Sequence, residues 1–284
     1  MDRRRFLSTL GLAAVAPQLA CATTGTGGMG GTPRRLRRVG IQLYTLRDDA
    51  RRDLEGTLTN IARIGYKEVE LLSSMNNFGM EPTRLRALLD RLGLTAPSTH
   101  LGTESFDNLQ REIDNAKILG HEYLVLASLH ENPTLDDYRR AADRLNDAGR
   151  RAQPSGVRVA FHDESQDFRK IDGVVPYDVL AERTDPNLVR LQLDTGNLAL
   201  AGADVFDYQK RYGSRYWLFH IKDAPALGAD HDTELGKGVI DFRRLFANID
   251  RIDEKHLYVE QESYPGTPIE SVTRDYQYIS TLEF

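Results

Sequence analysis

Two apolar runs end abruptly in groups that ligate metals or move protons: "LQLDTGN" stops its apolar pattern at Asp194, and "WLFHIKD" carries His220 and Lys222. Strand interiors tolerate such groups only when they are paired or coordinated. Similar endings recur elsewhere. "FHDE" brings His162 and Glu164 two apart, "HLYVEQE" brings Glu260 and Glu262 two apart, and "STH" ends in His100. Residues two apart on an extended chain share one face. Carboxylates and imidazoles without a thiolate make a site for Mn²⁺, Mg²⁺, Co²⁺ or Zn²⁺. Each residue also has a plainer use. Asp194 before "TGN" suits a helix N-cap, His220 in an apolar strand suits a hydrogen-bonded core residue, and Glu260 suits an outward ion pair with an arginine.

The elements that must position these groups alternate along the chain. Apolar runs lie at 39–44, 68–72, 94–100, 123–128, 157–162, 189–194, 216–222 and 256–262. Amphipathic segments follow near 53–65, 82–92, 105–119, 134–153, 174–183, 203–212, 241–250 and 268–282. Leu85, Leu88, Leu89 and Leu92 show the helical spacing. Gly65, Gly93 and Gly120 close three of these segments. Eight strands and eight helices in alternation predict a parallel sheet with helices outside. Units of this length predict closure into a single-domain (β/α)₈ TIM barrel over 36–284, with C-terminal strand ends facing the active site.

Bulk properties set limits. The chain has 284 residues, 40% apolar and 28% charged, which suits one soluble domain with a sizeable core. Lysine and arginine number 37 against 42 acidic residues, so the net charge of −5 argues against a nucleic-acid partner. "RRLRR" at 34–38 reads as a solvated lead-in to the first strand.

The start of the chain reads as an address. "RRRFL" matches the twin-arginine pattern and precedes a short apolar stretch from Phe6 to Ala16, so residues 1–22 are expected to be an export signal engaging the twin-arginine machinery. Cys21 is the single cysteine, which rules out an internal disulfide. "QLAC" offers it for lipid attachment, and "ACA" serves equally for simple cleavage. The stretch at 23–35 is a flexible linker. A periplasmic or exported protein is expected, either free or anchored through Cys21.

From about Val39 onward the chain resembles the sugar phosphate isomerase/epimerase family of xylose isomerase-like barrels. The resemblance lies in "VGIQLYTLRD", "YKEVELL", "STHLG", "LNDAGRRAQPSGVRVAFHDE", "LQLDTGN", "FHIKDA", "ELGKGVIDFRRLF" and "YVEQESYPGTPIESVTRDYQYI". It implies one divalent cation held by Glu, Asp, His and Glu at the ends of strands 5 to 8. The last three carry over to Asp194, His220 and Glu260. Strand 5 departs from the family pattern, reading Phe161-His162-Asp163-Glu164-Ser165-Gln166-Asp167-Phe168. Glu164 is the expected ligand there, ahead of His162 and then Asp167.

The resemblance implies proton transfer between neighbouring carbons of a carbohydrate through an enediolate. Glu164 and Glu260 would flank the substrate and move the proton. His100, His162 and Lys222 would hold hydroxyls or polarise the carbonyl, with Glu262 orienting a ligand. A sugar isomerase or epimerase is the first expectation. A 3-keto-glycoside lyase using the same proton abstraction is the alternative, and a non-catalytic sugar-binding barrel is the third. The partner is a small carbohydrate, and the pattern allows a homo-oligomer.

Overall fold

Eight short buried strands pair in chain order, and the last pairs with the first. The computed structural model describes residues 33–284. The expected export signal, Cys21 and most of the linker lie outside the described residues. The strands are β1 (Gly40–Gln42), β2 (Glu68–Leu72), β3 (Ser98–Leu101), β4 (Tyr123–Leu126), β5 (Arg158–His162), β6 (Val189–Asp194), β7 (Tyr216–Ile221) and β8 (His256–Val259). All neighbours are parallel, and β1 closes on β8 with Gly40 opposite Tyr258. This is a (β/α)₈ TIM barrel.

The main outer helices are α1 (Leu54–Ile64), α2 (Pro82–Leu92), α3 (Leu109–Leu119), α4 (Leu135–Ala152), α5 (Pro176–Arg183), α6 (Val205–Tyr212), α7 (Phe242–Ala247) and α8 (Pro268–Thr281). Local chemistry sets their starts. The Asp53 carboxylate accepts the Gly56 N–H at 2.9 Å, and Thr134 and Asp137 cap each other across the first turn of α4. In α1, Leu54, Leu58 and Ile61 turn inward at helical spacing and are buried.

Two strand boundaries differ most from the sequence reading. Strand β3 begins at Ser98 rather than Leu94, because Pro97 cannot donate to a ladder and only Thr95 bridges to Glu68. Strand β8 ends at Val259, so Glu260 and Glu262 stand on the loop above it.

The barrel interior is layered by the two-residue period of its strands. Its apolar filling is Tyr123, Val125, Ala160, Leu218 and Tyr258. Tyr258 reaches across to β1, where a Cβ at position 40 would lie 2.5 Å from its ring, so Gly40 makes room for it. Polar side chains share this interior. Gln42, Glu70, Ser98 and Gln192 are all fully buried.

Candidate metal centre and active site

Strand β6 delivers Asp194 with one carboxylate oxygen already committed. Oδ1 accepts the N–H groups of Gly196 and Asn197 at 2.8 and 2.9 Å, capping the short helix Thr195–Leu200. Oδ2 points to the barrel axis. Asp194 is therefore a helix cap through one oxygen and a site residue through the other.

His220 at the end of β7 is oriented from below. Its Nε2 lies 2.6 Å from Glu70 Oε2. A proton on Nε2 satisfies that contact and leaves Nδ1 as a lone pair, 2.9 Å from Glu260 Oε2 and 3.7 Å from Asp194 Oδ2. His162 at the end of β5 is fixed in the same manner. Its Nδ1 donates to the Ala127 carbonyl at 2.8 Å, which leaves Nε2 bare, 3.6 Å from Asp194 Oδ2.

These four residues, His162, Asp194, His220 and Glu260, present ligand atoms all within 4.8 Å of one another. Among the buried side-chain atoms without an aligned hydrogen-bond partner are His162 Nε2, Asp194 Oδ2, His220 Nδ1 and Glu260 Oε2. Buried polar atoms are ordinarily satisfied; Lys222 Nζ, 3.0 Å from Asp194 Oδ2 and Glu260 Oε2, reaches only the two carboxylates, so the convergence of all four suits a shared partner. Two imidazole nitrogens and two carboxylate oxygens suit one divalent cation. The donor set thus fits the cation expected from the sequence. His100 joins His162 and His220 in an overlapping imidazole group, with Nε2 2.9 Å from Gln192 Oε1.

The structure differs from the sequence reading at strand 5. Glu164, expected as the ligand, is absent from the cluster, and His162 supplies the fourth donor. The physical reason is where the strand stops. β5 ends at His162, and the chain then enters a turn in which the Glu164 N–H donates to Asp167 at 2.9 Å. Glu164 is lifted into the cavity above the ligands. Asp167 is spent on that turn and on the Tyr138 hydroxyl, 2.6 Å away.

Electrostatics separate the carboxylates. Burial raises the Glu260 carboxyl, but Lys222 and His220 outweigh it and bring it down to about 2. Asp194 is likewise raised by burial and held well below the usual carboxylate range by Lys222, His162 and His220. Glu164 goes the other way. Burial pushes it up to about 7 against the opposing pull of His162 and Lys222. Burial lowers His220, yet Glu260, Asp194 and Glu70 leave it well above its ordinary value. So many acids around one point call for positive charge.

Lys222 supplies some of that charge. Its Nζ lies 3.0 Å from Asp194 Oδ2, Glu260 Oε2 and Glu262 Oε1. Its stem runs so close to the Thr195 turn that a Cβ at position 196 would sit 2.4 Å from Lys222 Cγ, so Gly196 is required there. Neighbouring loops are tied firmly. Asp223 accepts the N–H groups of Ala224, Gly236, Gly238 and Ile240. Asp232 accepts those of Glu262 and Ser263, both at 2.7 Å.

Sequence reasoning passed over the layer beneath. Glu70 is fully buried and receives the Gln42 amide at 2.8 Å, the Ser98 hydroxyl at 2.6 Å, the Gln192 amide at 2.9 Å and His220 at 2.6 Å. His100 Nε2 stands 3.2 Å from it. The signal was present in "EVELL", where glutamates occupy the first and third positions of a wholly buried strand.

Above the cluster opens a cavity of about 410 Å³. Glu164, Asn197, Lys222, Glu260 and Glu262 line it from the β5–β8 half, and Tyr44, Leu72 and Met75 from the β1–β2 side. His100 and His162 reach it as well.

The family model for the xylose isomerase-like TIM barrel matches residues 58–282. An inosose dehydratase of Geobacillus kaustophilus (strain HTA426) is 26% identical over 251 residues, covering 74% of this chain and 80% of that protein. The crystal structure of a sugar phosphate isomerase/epimerase from Parabacteroides distasonis ATCC 8503 matches with a TM-score of 0.75 at 21% identity, covering 89% of this chain and 98% of that one. The crystal structure of the IOLI protein with a binding zinc atom matches with a TM-score of 0.65 at 16% identity, covering 84% and 95%. The cluster is compatible with a divalent-cation-dependent, sugar-processing enzyme of this kind.

Proposed function

The chain belongs to the xylose isomerase-like TIM barrel family, and from that membership and its site we propose a metal-dependent sugar lyase. The reaction is loss of a proton α to a ketone followed by departure of the oxygen on the next carbon. The observation that carries it is the division of labour at the mouth: four buried ligand atoms converge below, and Glu164 stands outside that group in the cavity. The inosose dehydratase relative supports elimination ahead of the isomerase or epimerase expected first from sequence. Both readings share the first proton transfer.

A bound cation would lie among His162, Asp194, His220 and Glu260, and would polarise the ketone and its neighbouring oxygen. Zn²⁺, Mn²⁺, Co²⁺ and Mg²⁺ all accept such a donor set. Glu164 takes the α-proton, because the cluster does not use it and, unlike Glu262, it is not held by the Lys222 ammonium. The C–H electron pair becomes the new double bond, and the C–O pair leaves with the oxygen. That oxygen collects a proton and departs as water or an alcohol. Lys222 places positive charge beside the reacting carbons, and His100 and Asn197 hold hydroxyls. Glu260, which the sequence reading also gave a base role, is assigned to the cation alone.

The test is Glu164→Gln, saturated with metal. Turnover of keto-sugars should fall by roughly 10²–10⁴ while metal affinity stays within a few-fold. Wild-type turnover in that variant would remove Glu164 from the reaction. Deuterium exchange into recovered substrate without elimination would favour the epimerase outcome.

A further inference from the structure

The cavity has one wall that a bare polyol would not use. Tyr44 is one of few large exposed hydrophobic side chains, 36% accessible, and it lies on this wall with Leu72 and Met75. Arg47 stacks on the Tyr44 ring with its guanidinium 4.2 Å from the centroid. The Tyr44 backbone N–H donates to Gln42 Oε1 at 3.1 Å, and Gln42 donates onward to Glu70, so the backbone that carries the ring is tied to the buried polar layer. Next to it, the loop after β2 is held in an unusual form. Asn76, Asn77 and Phe78 are consecutive left-handed residues with φ of 52°, 45° and 54°. A phenylalanine rarely adopts that conformation, and such strain gathers at functional sites. The loop presents Ser74 and Met75 to the cavity.

Water as a leaving group needs no apolar wall. An aromatic face beside an apolar lip suits a flat, weakly polar group. We propose that the substrate is a glycoside of a keto-sugar, with an apolar, preferably aromatic, aglycone against Tyr44, Leu72 and Met75. The bond broken is then the glycosidic C–O bond. This inference rests on the lyase reading for its chemistry. The α-carbon gives its proton to Glu164, the C–H pair forms the carbon–carbon double bond, and the glycosidic oxygen leaves with its pair. That oxygen takes up a proton, so the products are an unsaturated keto-sugar and the free alcohol or phenol. No oxidant or reductant is consumed.

Binding and turnover are tested separately. Nitrophenyl glucoside and methyl glucoside, which lack the ketone and cannot eliminate, are titrated calorimetrically into the metal-loaded protein. The nitrophenyl compound should bind roughly tenfold tighter. Tyr44→Ala should close that gap, and Tyr44→Phe should keep it. No gap in the wild type, or the same gap in Tyr44→Ala, overturns the inference. The 3-keto nitrophenyl glucoside is then offered as substrate, and release of nitrophenol is followed by absorbance. A gap that depends on Tyr44 without nitrophenol release upholds the aglycone wall and defeats the lyase reading instead.

Discussion

The two halves of the barrel are built from the same units and put their chemistry at different depths. In the β5–β8 half, acids and imidazoles sit at or just past the strand ends, as His162, Asp194, His220 and Glu260. In the β1–β4 half, the polar groups Gln42, Glu70 and Ser98 lie inside the barrel, and the rim above them is Tyr44, Leu72 and Met75. One half gathers the ligand atoms that suit a cation. The other orients those ligands from beneath and shapes the space above. A parallel barrel allows this because alternate strand positions all point to one axis, at levels set by register.

The largest effect should come from the half that carries the ligands. His220→Ala removes one of four donors, Asp194→Asn removes the charge of another, and each leaves the remaining ligands poorly matched to the cation. We expect metal affinity to fall by more than about a hundredfold in each, beyond what an outer partner costs. Competition with a chromophoric chelator measures this directly. Affinity within a few-fold of wild type would mean that the cation sits elsewhere.

The next effect crosses between the halves. Glu70→Gln keeps the shape of the side chain and removes its charge. The new amide would face the Gln42 and Gln192 amides, which now both donate to Glu70. His220 would lose the anion that fixes its ring. Metal affinity should drop about 10- to 100-fold, although Glu70 touches no cation. The chelator assay, with circular dichroism to confirm the fold, reads the result. An unchanged affinity would show that the β1–β4 half is filler rather than support.

That depth difference explains what the sequence disclosed. Strand ends are legible because an apolar run stops in a charged group, as "LQLD" stops at Asp194 and "LFH" at His220. A residue such as Glu70 is harder to read. Period-two alternation places it inward, but inward in an ordinary strand pair would face a core that rejects charge. Only barrel closure, which brings Gln42, Ser98, Gln192 and His220 around it, satisfies that carboxylate. Strand 5 was harder to read for a related reason. Residues 162 and 164 share a face only while the strand continues, and it stops at His162. The alternation of eight strands and eight helices, in contrast, was legible because it depends on local spacing alone.

The last effect separates the halves by their response to acid. His121 lies just before β4, away from the metal cluster. It is buried, and its Nδ1 is 2.5 Å from the Ala96 carbonyl. Burial pushes it down to about 4 from an ordinary 6.5, only partly offset by the bond to Ala96 and by Glu70 and Glu112. The folded protein therefore keeps His121 neutral, whereas the unfolded chain takes up a proton below about pH 6.5. Because the folded value is the lower one, its contribution is intact above pH 6.5. It is lost as the pH falls toward 4, where the folded form also begins to protonate. Over that window the loss approaches roughly 3 kcal/mol. Other carboxylates titrate in the same range, so the informative quantity is the difference between wild type and His121→Asn. Asparagine cannot take up the proton, and its amide can still donate to Ala96. Urea unfolding at pH 7 and pH 4.5 should show the wild type losing more stability than the variant, by about 2–3 kcal/mol. Parallel losses in the two proteins would mean that His121 is not a neutral buried group. The acid sensitivity of the β1–β4 half would then have to come from the Glu70 layer itself.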